Sequence, residues 1–281
     1  MKYALFSGCR TGFDIPQHSK SAKAVLSKLN VGLEEQLDFG CCGYPVKEKN
    51  IDAYLLLAIR NLAIAQAHHL PVLTLCKCCF GSFKQAEHYF TNYPDKQVKI
   101  NKILEKEGLN YKGGVKVHHM LTLLDREIDK NFIRQSIKHP LDKIKVAPSY
   151  GCHALRPSSI TGLDDRPDAP EIFERIIALT GAEPVNWSKR LECCGNPLLE
   201  KNNDLARDFI MEKYKTAKEE GANIICTACN YCHMQFEYGR DLILKSESTP
   251  PIPAILLPQL LGLAMGLEKD RTVLETTARN R

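Results

Sequence analysis

Cysteine is the residue whose placement in this chain asks for chemistry. It occurs twelve times in 281 residues. Two adjacent pairs, Cys41-Cys42 in LDFGCCGYP and Cys193-Cys194 in LECCGNPL, are each followed by glycine, one further residue and proline. Cys9 precedes the first pair across thirty-one residues, and Cys76-x-x-Cys79 follows it after thirty-three. Cys152 precedes the second pair across forty residues, and Cys229-x-x-Cys232 follows it after thirty-four. From one half to the other the pairs are offset by 152 positions and the C-x-x-C motifs by 153. Packing alone gives no reason for spacing to recur over such distances, so the ten cysteines read as two copies of one device.

Several chemistries use thiols in such numbers. Structural disulfides suit an oxidising compartment, and the N-terminus MKYALFSGCR carries no apolar stretch of signal-peptide length. A cytoplasmic location is therefore expected, with ligands, nucleophiles or buried small residues as the open roles. Zinc takes four ligands and usually paired C-x-x-C knuckles, which fits a C, CC, C-x-x-C order poorly. A redox dithiol in each C-x-x-C leaves three cysteines per half unexplained. Soft thiolates suit iron–sulfur clusters, and adjacent cysteines are easier to seat on an enlarged cluster with several irons than on one tetrahedron.

The elements that must carry these thiols alternate in the manner of an α/β protein. KYALFSG (2–8) reads as a strand running into Cys9, SKSAKAVLSKLN (19–30) as a helix and residues 51–69 as a longer helix. PVLTLC (71–76) reads as a buried strand delivering Cys76, with helix resuming over 81–93. The order then repeats, with a strand over 143–152, helices over 169–181 and 202–221, and a strand over 222–229. Residues 95–142 look like the connection, and PQLLGLAMGL like a closing apolar helix before a polar tail. The expected domains are 1–142 and 143–281. Each is a small, mainly parallel sheet flanked by helices, with its cysteines at strand ends where α/β sheets open into crevices.

Composition limits the rest. The formal net charge of +5 is spread without a basic block, so no nucleic-acid footprint is indicated. The longest apolar run, residues 252–267, is too short for a bilayer span and contains two prolines. No ferredoxin-like cysteine run and no dinucleotide fingerprint is present, so electrons would have to come from another protein.

The order C-x(31)-CCG-x-P, CKCCFGSF, YGCHALRPS, ECCGNP and CNYCHMQF resembles the twin cysteine-rich CCG domains of the heterodisulfide reductase B subunit, over nearly the whole chain. The resemblance implies two pseudo-symmetric CCG domains, each holding a noncubane [4Fe-4S] cluster. It assigns Cys9, Cys41, Cys42, Cys76 and Cys79 to the first, and Cys152, Cys193, Cys194, Cys229 and Cys232 to the second. It further implies that facing clusters reduce, or reversibly form, a disulfide such as coenzyme M–coenzyme B heterodisulfide or a related thiol pair. The implied setting is anaerobic metabolism, and the implied partners are the complex's ferredoxin-like iron–sulfur protein, its C subunit, and its flavoprotein, its A subunit. An iron–sulfur electron-transfer component without its own disulfide is the alternative from a different class, and a zinc-stabilised scaffold a third.

Two cysteines fall outside the pattern. Cys78 lies inside the first C-x-x-C and Cys226 three residues before the second; both are expected to be non-ligands. His153 and His233 each follow a second-set ligand, where the first half has Arg10 and Phe80. They are candidate catalytic proton donors to a departing thiolate, with cluster tuning or helix capping as the plainer role. Lys77, Arg10 and Arg156 could offer positive charge to an anionic substrate.

Overall fold

A computed structural model describes residues 1–9, 14–246 and 251–267. Arg10 and the polar tail lie outside the described residues. The strands are β1 (Lys2–Phe6), β2 (Gly32–Glu34), β3 (Val72–Thr74), β4 (Val117–His119), β5 (Lys145–Ser149), β6 (Glu183–Pro184), β7 (Ile224–Thr227) and β8 (Ala254–Leu256). They form two four-stranded sheets, ordered β2-β1-β3-β4 and β6-β5-β7-β8, in which every pairing is parallel. The architecture is thus α/β with two like halves.

Parallel neighbours need crossover connections, and helices supply them. These are α1 (Pro16–Lys28), α2 (Ile51–Ala67), α3 (Lys77–Asn92), α4 (Pro94–Leu104), α5 (Met120–Thr122), α6 (Lys130–Ser136), α7 (Ser158–Thr161), α8 (Ile172–Ala178), α9 (Asn203–Glu219), α10 (Asn230–Ser246) and α11 (Leu257–Met265). The repeat reaches into the caps. Asn50 accepts a hydrogen bond from the Ala53 N–H at 3.0 Å to start α2, and Asn202 accepts one from the Leu205 N–H at 3.1 Å to start α9.

In each sheet the order in which the chain adds strands reverses, between β1 and β3 and again between β5 and β7. In open α/β sheets such a switch point leaves a crevice at the carboxyl ends of the strands. Cys9 and Cys76 leave the ends of β1 and β3, and Cys152 and Cys229 those of β5 and β7. Sheet order alone therefore aims four cysteines into two crevices.

Three details differ from the sequence reading. Residues 95–142 are more than a connection, because β4 completes the first sheet; β2, β6 and β8 likewise have only two or three residues and show no period of their own. The helix after Cys76 begins at Lys77, four residues earlier than expected, because Cys76 stays extended while its carbonyl accepts the Phe80 N–H at 3.0 Å. The same arrangement follows Cys229, whose carbonyl accepts the His233 N–H at 3.0 Å. Both C-x-x-C motifs consequently sit on the first turn of a helix, where free N–H groups and the helix dipole favour thiolate.

The halves share one apolar core. It contains Leu5 and Val25 from the first and Ile176, Leu260 and Leu261 from the second, with α1 packed directly on α11. Polar contacts also cross over. The Leu121 N–H donates to His119 Nδ1 at 3.1 Å, which leaves His119 Nε2 to donate to the Ala228 carbonyl at 3.1 Å. Among the described residues no helix is long and apolar enough to cross a membrane.

Candidate metal centre

The adjacent cysteines lie on loops after β2 and β6, each closed by a glycine in the left-handed region, Gly43 at φ 81° and Gly195 at φ 84°. A Cβ on Gly43 would stand 2.7 Å from the Tyr54 carbonyl oxygen, and one on Gly195 2.8 Å from that of Ala206, so conformation and space both require glycine. The turn delivers a backbone donor to sulfur in both halves. Gly43 N–H faces Cys41 Sγ at 3.4 Å and Gly195 N–H faces Cys193 Sγ at 3.4 Å. Such donors stabilise thiolate and tune iron–sulfur sites.

The thiols form two chains of contacts in the same order. In the first, Cys9 meets Cys41, Cys41 meets Cys42, Cys42 meets Cys79, and Cys79 meets Cys76. In the second, Cys152 stands 4.0 Å from Cys193, which meets Cys194; Cys194 meets Cys232, and Cys232 meets Cys229. The chains join where Cys76 Sγ and Cys229 Sγ stand 3.6 Å apart, across the junction of the halves. None of the twelve cysteines forms a disulfide; those at the outer ends of the chains are exposed or half-buried and those at the join are buried.

Proton affinities express this crowding. Hydrogen bonds from Cys232, Cys76 and Cys78 hold Cys229 well below the usual thiol range, while Cys232 and Cys78 are pushed up as their neighbours share protons. Buried thiols that trade protons in this way provide a soft, anionic donor set for a cation. Cys76, Cys78 and Cys229 already bring three sulfurs within 4.8 Å of one another.

The two cysteines outside the pattern have different fates. Cys226 is a fully buried β7 residue, registered with Pro148 and Ile255, and its thiol is pushed up by burial. It behaves as core. Cys78 instead reaches the join, 3.8 Å from Cys229 Sγ, a placement its position inside C-x-x-C did not reveal.

A narrow cavity at the join is lined by residues of both halves, including Tyr44, Cys78, Cys152, His153 and Tyr231. The Tyr44 ring packs 4.7 Å from the His153 ring and 5.5 Å from that of Tyr231. A larger cavity of about 800 Å³ beside α9 and α10 is lined by no cysteine, so the chemistry points to the smaller one. His153 Nε2 and His233 Nδ1 are buried without hydrogen-bond partners, and burial lowers both side chains to about 4. Lys77 is buried near Cys229 and Cys232, whereas Arg156 is exposed. Asn61 and Lys213, which hold the cysteine loops from behind, gave no sign in the sequence because neither belongs to a motif.

The Cysteine-rich domain family (CCG) matches residues 3–84 and, a second time, residues 146–237. The B subunit of a ferredoxin/F420H2-dependent CoB-CoM heterodisulfide reductase from Methanosarcina acetivorans is 32% identical, over 99% of this chain and 93% of its own length. The chain belongs to the heterodisulfide reductase B-subunit family. Among other members of similar likeness, a heterodisulfide reductase B-subunit-like protein of Archaeoglobus profundus is 30% identical over 96% of this chain and 93% of its own. The 8-methylmenaquinol:fumarate reductase membrane anchor subunit of Wolinella succinogenes is 32% identical over 95% and 93%. A crystal structure of a hypothetical protein from Helicobacter pylori shares the fold at a TM-score of 0.73 and 19% identity, covering 98% of this chain and half of that one. In this family member the paired CCG domains and their clustered thiols point to iron–sulfur binding.

Proposed function

We propose that this protein is the disulfide-handling component of a heterodisulfide reductase-like complex, an oxidoreductase acting on sulfur. The two cysteine sets named above would each hold a noncubane [4Fe-4S] cluster. The observation that carries the reading is the 3.6 Å approach of Cys76 and Cys229, which sets the two thiol chains end to end beside a cavity lined by second-set cysteines and Cys78. A disulfide there would lie between two one-electron centres.

Reducing a disulfide takes two electrons and two protons. When bound, the clusters supply the electrons and iron that accepts sulfur. The rest falls to the chain itself. Gly43 and Gly195 N–H groups and the first turns of α3 and α10 hold negative charge at the ligands. Tyr44 and Tyr231 place aromatic faces at the cavity and restrict water. His153, which lines the cavity with an unpartnered Nε2, is the group we assign to pass a proton to a departing thiolate, whose negative charge would raise the imidazole's lowered proton affinity. His233 is the second such candidate. Electrons would arrive in the cytoplasm from the complex's ferredoxin-like C subunit, fed in turn by its flavoprotein A subunit.

A second reading is favoured by the likeness to a fumarate reductase anchor protein. On it, the protein relays electrons within a larger oxidoreductase and has no disulfide of its own. Electron paramagnetic resonance on the anaerobic, half-reduced protein separates the two. The disulfide reading predicts a new signal on addition of coenzyme M–coenzyme B heterodisulfide or a related disulfide. Spectra unchanged by coenzyme, glutathione-like and lipoyl disulfides would leave the relay.

A further inference from the structure

Two lysines, Lys77 and Lys213, are buried among the described residues, each about 1% exposed. Both lie beside the second cysteine set. Lys213 stands on α9, 152 positions after Asn61 on α2, the same offset that relates Cys193 to Cys41. The two residues do the same work on the loop before a cysteine pair. Asn61 accepts the Gly40 N–H at 2.8 Å and donates to the Cys41 carbonyl at 3.0 Å. Lys213 Nζ donates to the Glu192 carbonyl at 3.1 Å and to that of Lys189, and lies 4.7 Å from the Trp187 ring. One clamp is neutral and the other is a cation.

Lys77 adds to this asymmetry. It follows Cys76 of the first set, yet its Nζ crosses the junction to the Ser149 carbonyl at 3.0 Å, over the rings of Phe173 at 4.6 Å and Tyr150 at 5.2 Å. Asn230, at the corresponding place after Cys229, sends a neutral amide the other way, to His18 Nδ1. The Lys213 contacts fall on Lys189 and Glu192, the latter next to Cys193, and the Lys77 contact falls on Ser149, three residues before Cys152.

Among the described residues, neither ammonium meets a carboxylate in an ion pair. Glu174 is taken by Arg190 at 2.9 Å, and Glu192 by Lys189 at 3.0 Å. A buried charge without a counter-charge is costly. Besides Glu174 and Glu192, negative charge near the two lysines comes from the second thiolate set and whatever those thiolates bind.

We propose that Lys77 and Lys213 are positioning charges that set the second cluster at a higher reduction potential than the first. This rests on the iron–sulfur reading above. One electron from an external donor, an iron–sulfur partner in a complex or dithionite in solution, adds one negative charge to whichever site takes it. Nearby ammonium groups favour that charge at the Cys152, Cys193, Cys194, Cys229 and Cys232 site. At an effective dielectric constant of about 20, a unit charge within about 10 Å changes such an equilibrium more than tenfold. The first electron therefore rests on the second site, beside His153.

An anaerobic dithionite titration followed by paramagnetic resonance, with iron and sulfide measured on every sample, tests this. The intact chain is expected to show two one-electron waves, and the higher one is expected to be missing from Cys194→Ala. Lys213→Met is expected to lower that wave by at least tenfold in equilibrium constant, about 59 mV for one electron, leave the lower wave in place, and be reversed by Lys213→Arg. Lys77 lies in the first C-x-x-C, but its ammonium bonds Ser149 and no cysteine-pair loop. Lys77→Met is expected at full iron content to move the same wave the same way, and carries the test if Lys213→Met loses iron. Unmoved waves, or waves that move together, at full iron content would overturn the proposal. Absence of iron and sulfide from the intact chain would overturn it together with the iron–sulfur reading, and the two failures are told apart by that analysis.

Discussion

Cys42→Ala is expected to empty the first site and leave the second, so that bound iron falls from about eight to about four per chain; Cys194→Ala is expected to do the converse. Each residue is the central link of its chain of thiols. Cys42 joins Cys41 to Cys79, Cys194 joins Cys193 to Cys232, and both are about 95% buried or more. Loss of the middle donor leaves the outer cysteines on one side and the C-x-x-C on the other, with no sulfur between them. The fold has little at stake, because removing one sulfur from a side chain costs about 1 kcal/mol, the usual size for a point substitution. Circular dichroism is expected to stay unchanged while iron halves. Cys226→Ala is the control: its thiol belongs to the β7 core, so both clusters are expected to remain. Full iron in both Cys42→Ala and Cys194→Ala would remove these residues from the ligand sets.

Gly81→Ala is expected to keep both clusters and abolish their joint action. Gly81 lies on α3 against the second half, where a Cβ would overlap the His153 carbonyl oxygen and stand 2.6 Å from its Cδ2. In an isolated helix the substitution would stabilise by about 1 kcal/mol. Here the halves must part, or His153 must move. Parting the halves leaves each five-cysteine set whole, so iron content is expected to match the unaltered chain. The disulfide-dependent signal is expected to fall about a hundredfold, the usual cost of displacing reacting groups by about an ångström. A full signal from Gly81→Ala would mean that the close approach of the halves at His153 is irrelevant to the chemistry.

The ten patterned cysteines were legible because their spacing is written in the chain, and the helices because residues 51–69 and 202–221 carry long patterns. The strands β2, β4, β6 and β8 were not, since two or three residues show no alternation and gain their identity only from the neighbour they pair with. A repeat also says nothing about how its copies pack. The meeting of Cys76 with Cys229, the reach of Lys77 to Ser149 and the seat of Gly81 under His153 all belong to the junction. Asn61 and Lys213 were aligned by the 152-residue offset from the start, but an amide and an ammonium look unrelated until both are seen holding loop carbonyls.

The most direct test of the central claim, that ten cysteines form two iron–sulfur sites, is metal and acid-labile sulfide analysis of the anaerobically purified chain. The expected result is about four irons and about four sulfides for each five-cysteine set. Stoichiometric zinc without sulfide would contradict it.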